Sequence, residues 1–225
     1  MTCEKIMDYL RSLQNEKNRE GMARYGINAS NAFGVSMVAL RELAKKTGRN
    51  HSLALELWET GIHEARILAA LVADAKQVTE EQMEEWVKDI DSRDVCDQVC
   101  SNLWDRTPFV FTKANQWSRS EHEFTKRAAF VLMAASAVHN KKAGDKFFSD
   151  FLKIIIREST DDRNFVRKAV NWSLRQIGKH NRTLHSLAVK CALELSNSSS
   201  KSARWIGKDA LRELQNPKII NRLPA

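Results

Sequence analysis

The sequence predicts an all-α protein, a curved α-solenoid of two-helix repeats, and three observations lead there. Apolar residues recur at helical spacing almost throughout, with no convincing run of alternating apolar and polar residues. Turn formers are scarce: 8 Gly and 3 Pro in 225 residues are too few for a sandwich or barrel of many short strands. Three helical segments also resemble one another at a regular offset. With 43% hydrophobic and 28% charged residues, the composition excludes wholesale disorder and a fibrous chain.

Taken in order, helices are expected over residues 3–18, 34–47, 51–60, 63–76, 80–90 and 93–105, then over 109–118, 121–138, 144–159, 162–178, 183–195 and 200–215. Gly48 follows the second and Gly178 ends the tenth, each shortly after basic residues, where a C-cap belongs. Thr79 and Gln82 have the spacing of a capping box at the fifth, with Glu80 and Glu81 adding negative charge to its first turn. The stretch SNSSSKS (196–202) is a surface connection that ends in a helix N-cap. No domain linker interrupts the chain, so residues 1–225 are expected to form a single domain.

The segments FTKRAAFVLMAASA (124–137), FVRKAVNWSLRQIG (165–178) and ARWIGKDALRELQN (203–216) each open on a basic first turn and continue as an apolar stripe, offset by 41 and then 37–38 residues. HEARILAALVADA (63–75) is a weaker fourth copy. A period near 40 is that of HEAT or armadillo units, each burying its apolar face against its neighbours. Equivalent edges then align, so Lys126, Arg127, Arg167, Lys168 and Arg204 are expected to line one surface; the alternative is ordinary solvated charge.

The charge is uneven. Residues 1–118 hold 15 basic and 18 acidic side chains, net −3, and residues 119–225 hold 21 and 10, net +11, giving +8 for the whole chain. A surplus confined to the half with the clearest repeats points to a polyanionic partner. Cys3, Cys96, Cys100 and Cys191 make no CxxC pair, no metal site is expected, and the first residues lack the apolar run of a signal peptide or membrane span. A reduced, cytoplasmic protein without a membrane partner is expected.

No Gly-rich phosphate loop, HExxH or GxSxG is present, so chemistry must come from isolated side chains, and no cofactor is expected. On the helix from Arg93, the residues Val95, Val99 and Leu103 form the inward stripe, and Asp97 points nearly opposite, between Arg93 and Trp104. Asp97 is either a reacting carboxylate or half of a weak i,i+4 bridge to Arg93. Trp172 falls about 120° from the stripe of Val166, Ala169, Val170, Ser173 and Ile177, towards Lys168, Arg175 and Lys179. It either stacks on a base or sugar or bridges two repeats. Arg127 sits at the edge of the stripe of Phe124, Ala128, Val131 and Ala135, and needs an anionic partner inside the protein or outside it.

The segments GMARYGINASNAFGVSMVALRELAKK (21–46), DSRDVCDQVCSNLWDRTPF (91–109), EFTKRAAFVLMAASAVHNKKA (123–143), NFVRKAVNWSLRQIGK (164–179) and SKSARWIGKDALREL (200–214) resemble the bacterial DNA alkylation repair family, the HEAT-like alkylpurine DNA glycosylases. The most specific pieces are MARY, DVCDQV and RKAVNWSLRQIGK. The resemblance implies a right-handed α-solenoid whose basic concave face holds double-stranded DNA, and hydrolysis of the N-glycosidic bond of cationic N3- or N7-alkylated purines without flipping the lesion into a deep pocket; a monomer is expected. It implies Asp97 as the catalytic carboxylate, Arg127 as the active-site arginine, and Tyr25 and Trp172 as aromatic cleft residues. One departure stands out: many relatives have a tryptophan where this chain has Arg93. A cation there repels an alkylated purine, neutralises Asp97, or contacts phosphate. Two other functions compete, a non-catalytic binder of damaged or branched DNA and a protein-binding scaffold.

Overall fold

The computed structural model describes residues 1–24 and 27–224, and every described regular element is helical. The chain divides into two compact units, Met1–Thr107 and Pro108–Ala225.

The first unit holds α1 (Cys3–Ser12), α2 (Glu16–Arg24), α3 (Met37–Thr47), α4 (His51–Glu59), α5 (His63–Val72), α6 (Glu80–Lys88) and α7 (Arg93–Asn102), followed by a 3-10 turn at Trp104–Arg106. Helices α3, α5 and α7 pack side by side, while α1 and α4 lie on one another. Behind them, α4 and α6 are joined by Trp58 and Trp86, whose rings stack 4.0 Å apart, and by a 2.9 Å hydrogen bond from Trp58 Nε1 to Asp89.

Helix starts follow the local chemistry. Thr79 accepts from the Gln82 N–H at 3.1 Å, as the Thr-x-x-Gln spacing predicts, and Ser36 and Asn50 cap α3 and α4 in the same way. Gly48 caps α3 with φ +73, the left-handed region that favours glycine.

The expected first helix is instead two helices. The backbone N–H of Asn15 is drawn to the Phe33 carbonyl at 2.8 Å, and its side chain caps the Asn18 N–H at 3.0 Å, so the ladder stops and restarts. Beside this break Gly34 has φ +77, and a Cβ there would lie 2.3 Å from the Asn15 carbonyl oxygen. The helix expected over 93–105 likewise ends at Asn102, and Trp104 is fully buried, not on the outer face beside Asp97.

The second unit holds α8 (Val110–Trp117), α9 (Glu123–His139), α10 (Asp145–Glu158), α11 (Asn164–Ile177), α12 (Arg182–Ser196), α13 (Lys201–Leu214) and α14 (Pro217–Ile220). Here the repeats are long and regular. Helices α9, α11 and α13, the three similar segments, pack successively against one another, with α8, α10 and α12 behind them. From Lys126 to Ala137, α9 is buried on all sides, which only a helix enclosed by neighbours tolerates. Each fully buried large apolar side chain there contributes roughly 1.5–3 kcal/mol. Phe111, Phe147, Phe148 and Phe151 tie α8 to α10 with ring centroids 4.7 to 6.5 Å apart.

Gly178 does end α11, but in right-handed geometry with φ −66; its role is packing, because a Cβ would meet Leu214 at 2.7 Å and Ala188 at 2.9 Å. Ser200 caps α13 at the end of the serine-rich connection, accepting from Ala203 N at 3.4 Å. Among the described residues no helix is long and apolar enough to cross a membrane.

Candidate nucleic-acid interface

In the first unit the candidate carboxylate stands on α7. Val95, Cys96, Val99 and Cys100 are buried, and Asp97 is half-buried at the edge of that face. Arg93, one turn earlier, is also half-buried and forms no ion pair among the described residues. The i,i+4 bridge that the spacing allows between them is therefore not made.

The same helix presents Asp94 from its first turn, and its Oδ2 hydrogen-bonds His63 Nε2 at 2.8 Å. The His63 side chain is 5% exposed. Burial alone would lower the His63 pKa, but the hydrogen bond and charge of Asp94 outweigh it, and the group titrates above 6.5. Burial would raise Asp94, yet the hydrogen bond and charge of His63 hold it below 3.8. Next to them Glu64, 1% exposed, accepts three backbone N–H groups, from Phe33 at 2.9 Å, Gly34 at 2.6 Å and Val35 at 3.1 Å. His63, Glu64 and Asp94 line a cavity of about 610 Å³ together with Lys17, Met22 and Met37. Sequence reasoning did not single out this trio. His63 and Asp94 lie on helices α5 and α7, and only their stacking brings the two first turns together.

In the second unit the five expected cations have different fates. Lys126, expected on an open surface, is 8% exposed, and its Nζ sits 2.7 Å from Glu158 and 3.0 Å from Asp161. Burial would raise the Asp161 pKa, but hydrogen bonds from Arg163 and Lys126 bring it down to about 2. Those carboxylates follow from the end of α10, which is why the first turn of α9 alone did not reveal them. Arg127 is 4% exposed, and its Nη1 donates to the Phe165 carbonyl at 2.6 Å in the first turn of α11. Arg204 turns back to donate to the Ser198 and Ser199 carbonyls at 2.8 and 2.7 Å. Lys168 is exposed. Arg167 is half-buried, with its guanidinium carbon 4.7 Å above the centre of the Trp205 ring. Trp205 is an exposed aromatic that the sequence pattern had left among ordinary helix residues.

Trp172 is half-buried on α11, as its position outside the apolar stripe predicts, and its Nε1 donates to the Gln176 side-chain carbonyl at 2.9 Å. Its expected cationic neighbours are partly spent: Arg175 and Lys179 both pair with Glu213 of α13, whose pKa they hold down against burial. Tyr25 lies outside the described residues. Among the described residues no cluster of three His, Cys, Asp or Glu side chains is placed to hold a metal ion.

The family model described as DNA alkylation repair enzyme matches residues 6–214. The uncharacterized protein Lin0241 of Listeria innocua is 22% identical over 198 residues, covering 85% of each chain. A solved structure from a new family of proteins related to the HEAT-like repeat DNA glycosylases, with affinity for branched DNA structures, superposes with a TM-score of 0.76 at 23% identity, covering 95% of each chain. The chain therefore shares that HEAT-like repeat fold.

Proposed function

The chain belongs to the DNA alkylation repair enzyme family, and on that premise we propose that it is a DNA glycosylase hydrolysing the N-glycosidic bond of cationic N3- or N7-alkylated purines in duplex DNA. The observation that carries this reading is the family match over residues 6–214, joined to the place of Asp97, half-buried at the edge of the apolar face of α7.

The chemistry asks little of the protein. An alkylated purine already carries the positive charge that makes it a good leaving group. The C1′–N bond breaks with its electron pair going to the base, which departs neutral, and the sugar becomes oxocarbenium-like. Asp97 stabilises that cation and orients a water whose oxygen bonds to C1′ while its proton passes to the carboxylate or to solvent. The products are a free alkylpurine and an abasic site. Trp172 offers a π face to the cationic base or sugar, and Arg127, buried and bonded to the Phe165 carbonyl, fixes the first turn of α11, the helix that carries Trp172. Measuring free 3-methyladenine and 7-methylguanine from methylated duplex DNA tests the assignment. Asp97→Asn is expected to slow release by about 100-fold, and release by the wild type that Asp97→Asn leaves unchanged rules the role out.

A second reading is favoured by Arg93 itself. A half-buried guanidinium with no carboxylate partner suits a phosphate better than a cationic base, which fits a non-catalytic binder of damaged or branched DNA. The structural neighbour with affinity for branched DNA supports it. Salt-sensitive binding without base release distinguishes this reading from the first.

A further inference from the structure

We propose that Trp205, backed by Arg167, is a stacking platform for an unpaired nucleotide of DNA, so that the second unit prefers a junction between duplex and single strand to uninterrupted duplex. The proposal rests on the DNA-binding reading above, but not on glycosylase activity.

Trp205 stands in the first turns of α13, 37% exposed, while Arg167 from α11 lies over its ring. An indole left that far in water forgoes burial that most tryptophans obtain, and here its ring is already paired with a guanidinium. The surrounding charge is not neutralised. Lys201 and Lys208, four residues before and three after Trp205 on the same helix face, are exposed, as is Lys168 beside Arg167 on α11. Among the described residues none of these four cations is in an ion pair, and Arg167 Nε is buried without a hydrogen-bond acceptor.

Elsewhere on the same two helices the cations are tied down. Arg175 and Lys179 hold Glu213, and Arg212 holds Asp209. Positive charge therefore stays unpaired beside the exposed aromatic, while Arg175, Lys179 and Arg212 further along α11 and α13 are neutralised by carboxylates.

An aromatic face ringed by ammonium and guanidinium groups has the composition of a single-strand binding surface: the ring stacks on a base and the cations take the flanking phosphates. Inside a duplex both faces of each base are already occupied by its neighbours. A tryptophan on a helix surface stacks only on a base exposed at a flap, gap or branch. That requirement separates this surface from Lys126 and Arg127, which are buried and engaged within the protein.

Fluorescence anisotropy with the full chain, on a blunt duplex and on the same duplex carrying a single-stranded flap, tests the proposal. The wild type is expected to bind the flap substrate more tightly. Trp205→Ala should weaken flap binding by about 10-fold, the equivalent of roughly 1.4 kcal/mol of base stacking, and leave blunt-duplex affinity within about twofold. Trp205→Phe, which keeps a stacking face, should recover most of the loss, which a purely structural tryptophan does not predict. Equal losses on both substrates, no loss on either, or no DNA affinity in the wild type each overturn the proposal. Base release from methylated duplex is measured alongside: if it is absent while the flap preference and its loss in Trp205→Ala persist, the glycosylase reading fails and the platform stands.

Discussion

The two units bury charge at the same kind of place but with opposite sign. In the first, His63 and Glu64 open α5 and Asp94 opens α7; the buried Glu64 accepts three backbone N–H groups, and the half-buried Asp94 holds the His63 imidazole. In the second, Lys126 and Arg127 open α9, and the buried cations are satisfied by two carboxylates and a carbonyl. In both, the first turn of an inner helix is a fastening point to a neighbouring segment. The +11 surplus of the second half is accordingly a poor map of its surface: Lys126 is buried between two carboxylates, and Arg175 and Lys179 share Glu213, whereas Lys168, Lys201 and Lys208 near Trp205 are exposed.

If first turns are fasteners, removing one should cost stability in proportion to what it leaves unsatisfied. Glu64→Ala is expected to cost most, about 4 kcal/mol, because three backbone donors lose a charged acceptor in a site that water does not reach freely. Glu64→Gln keeps one carbonyl oxygen and should cost about half as much. Denaturant titration of the full chain gives both values. A loss below about 1 kcal/mol for Glu64→Ala means that the loop at Phe33–Val35 does not depend on it. The matching change in the second unit, Lys126→Ala, should cost about 3 kcal/mol, since it leaves Glu158 and Asp161 facing each other without their shared cation. It costs less than Glu64→Ala because Arg157 and Arg163 still reach those carboxylates. If Lys126 were a surface contact for DNA and nothing more, the change would leave stability within about 0.5 kcal/mol.

The same contrast explains what the sequence made legible. Local signals suffice for the Thr79 and Ser200 caps, for Gly48 at the end of α3, and for the three-fold recurrence of α9, α11 and α13. What failed depended on partners distant in sequence. The break at Asn15 is set by the Phe33 carbonyl, the small residue at 178 is needed by Leu214 and Ala188, and the burial of Lys126 requires carboxylates at the far end of α10. For the candidate site, a single helix was enough to put Asp97 and Trp172 outside their apolar stripes. It was not enough to find His63 with Asp94, or Arg167 with Trp205, because each pair forms only when successive inner helices stack.

The smallest expected effect is a pH dependence in the first unit where, among the described residues, a histidine fastens the first turn of an inner helix. The folded pKa of His63 lies above 6.5, so its contribution is fully present below 6.5 and is lost as pH rises through the folded value. Asp94 is depressed below 3.8, so its contribution is present above 3.8 and is lost as pH falls through the depressed value. The pair therefore stabilises best between those limits. A single charged hydrogen bond of this kind contributes about 1.5 kcal/mol. The denaturant midpoint should fall between pH 6 and pH 9, and His63→Gln, which keeps a hydrogen-bonding side chain without a titrating proton, should flatten that slope. A slope that survives in His63→Gln assigns the pH dependence to another group and removes the histidine from the set of fasteners.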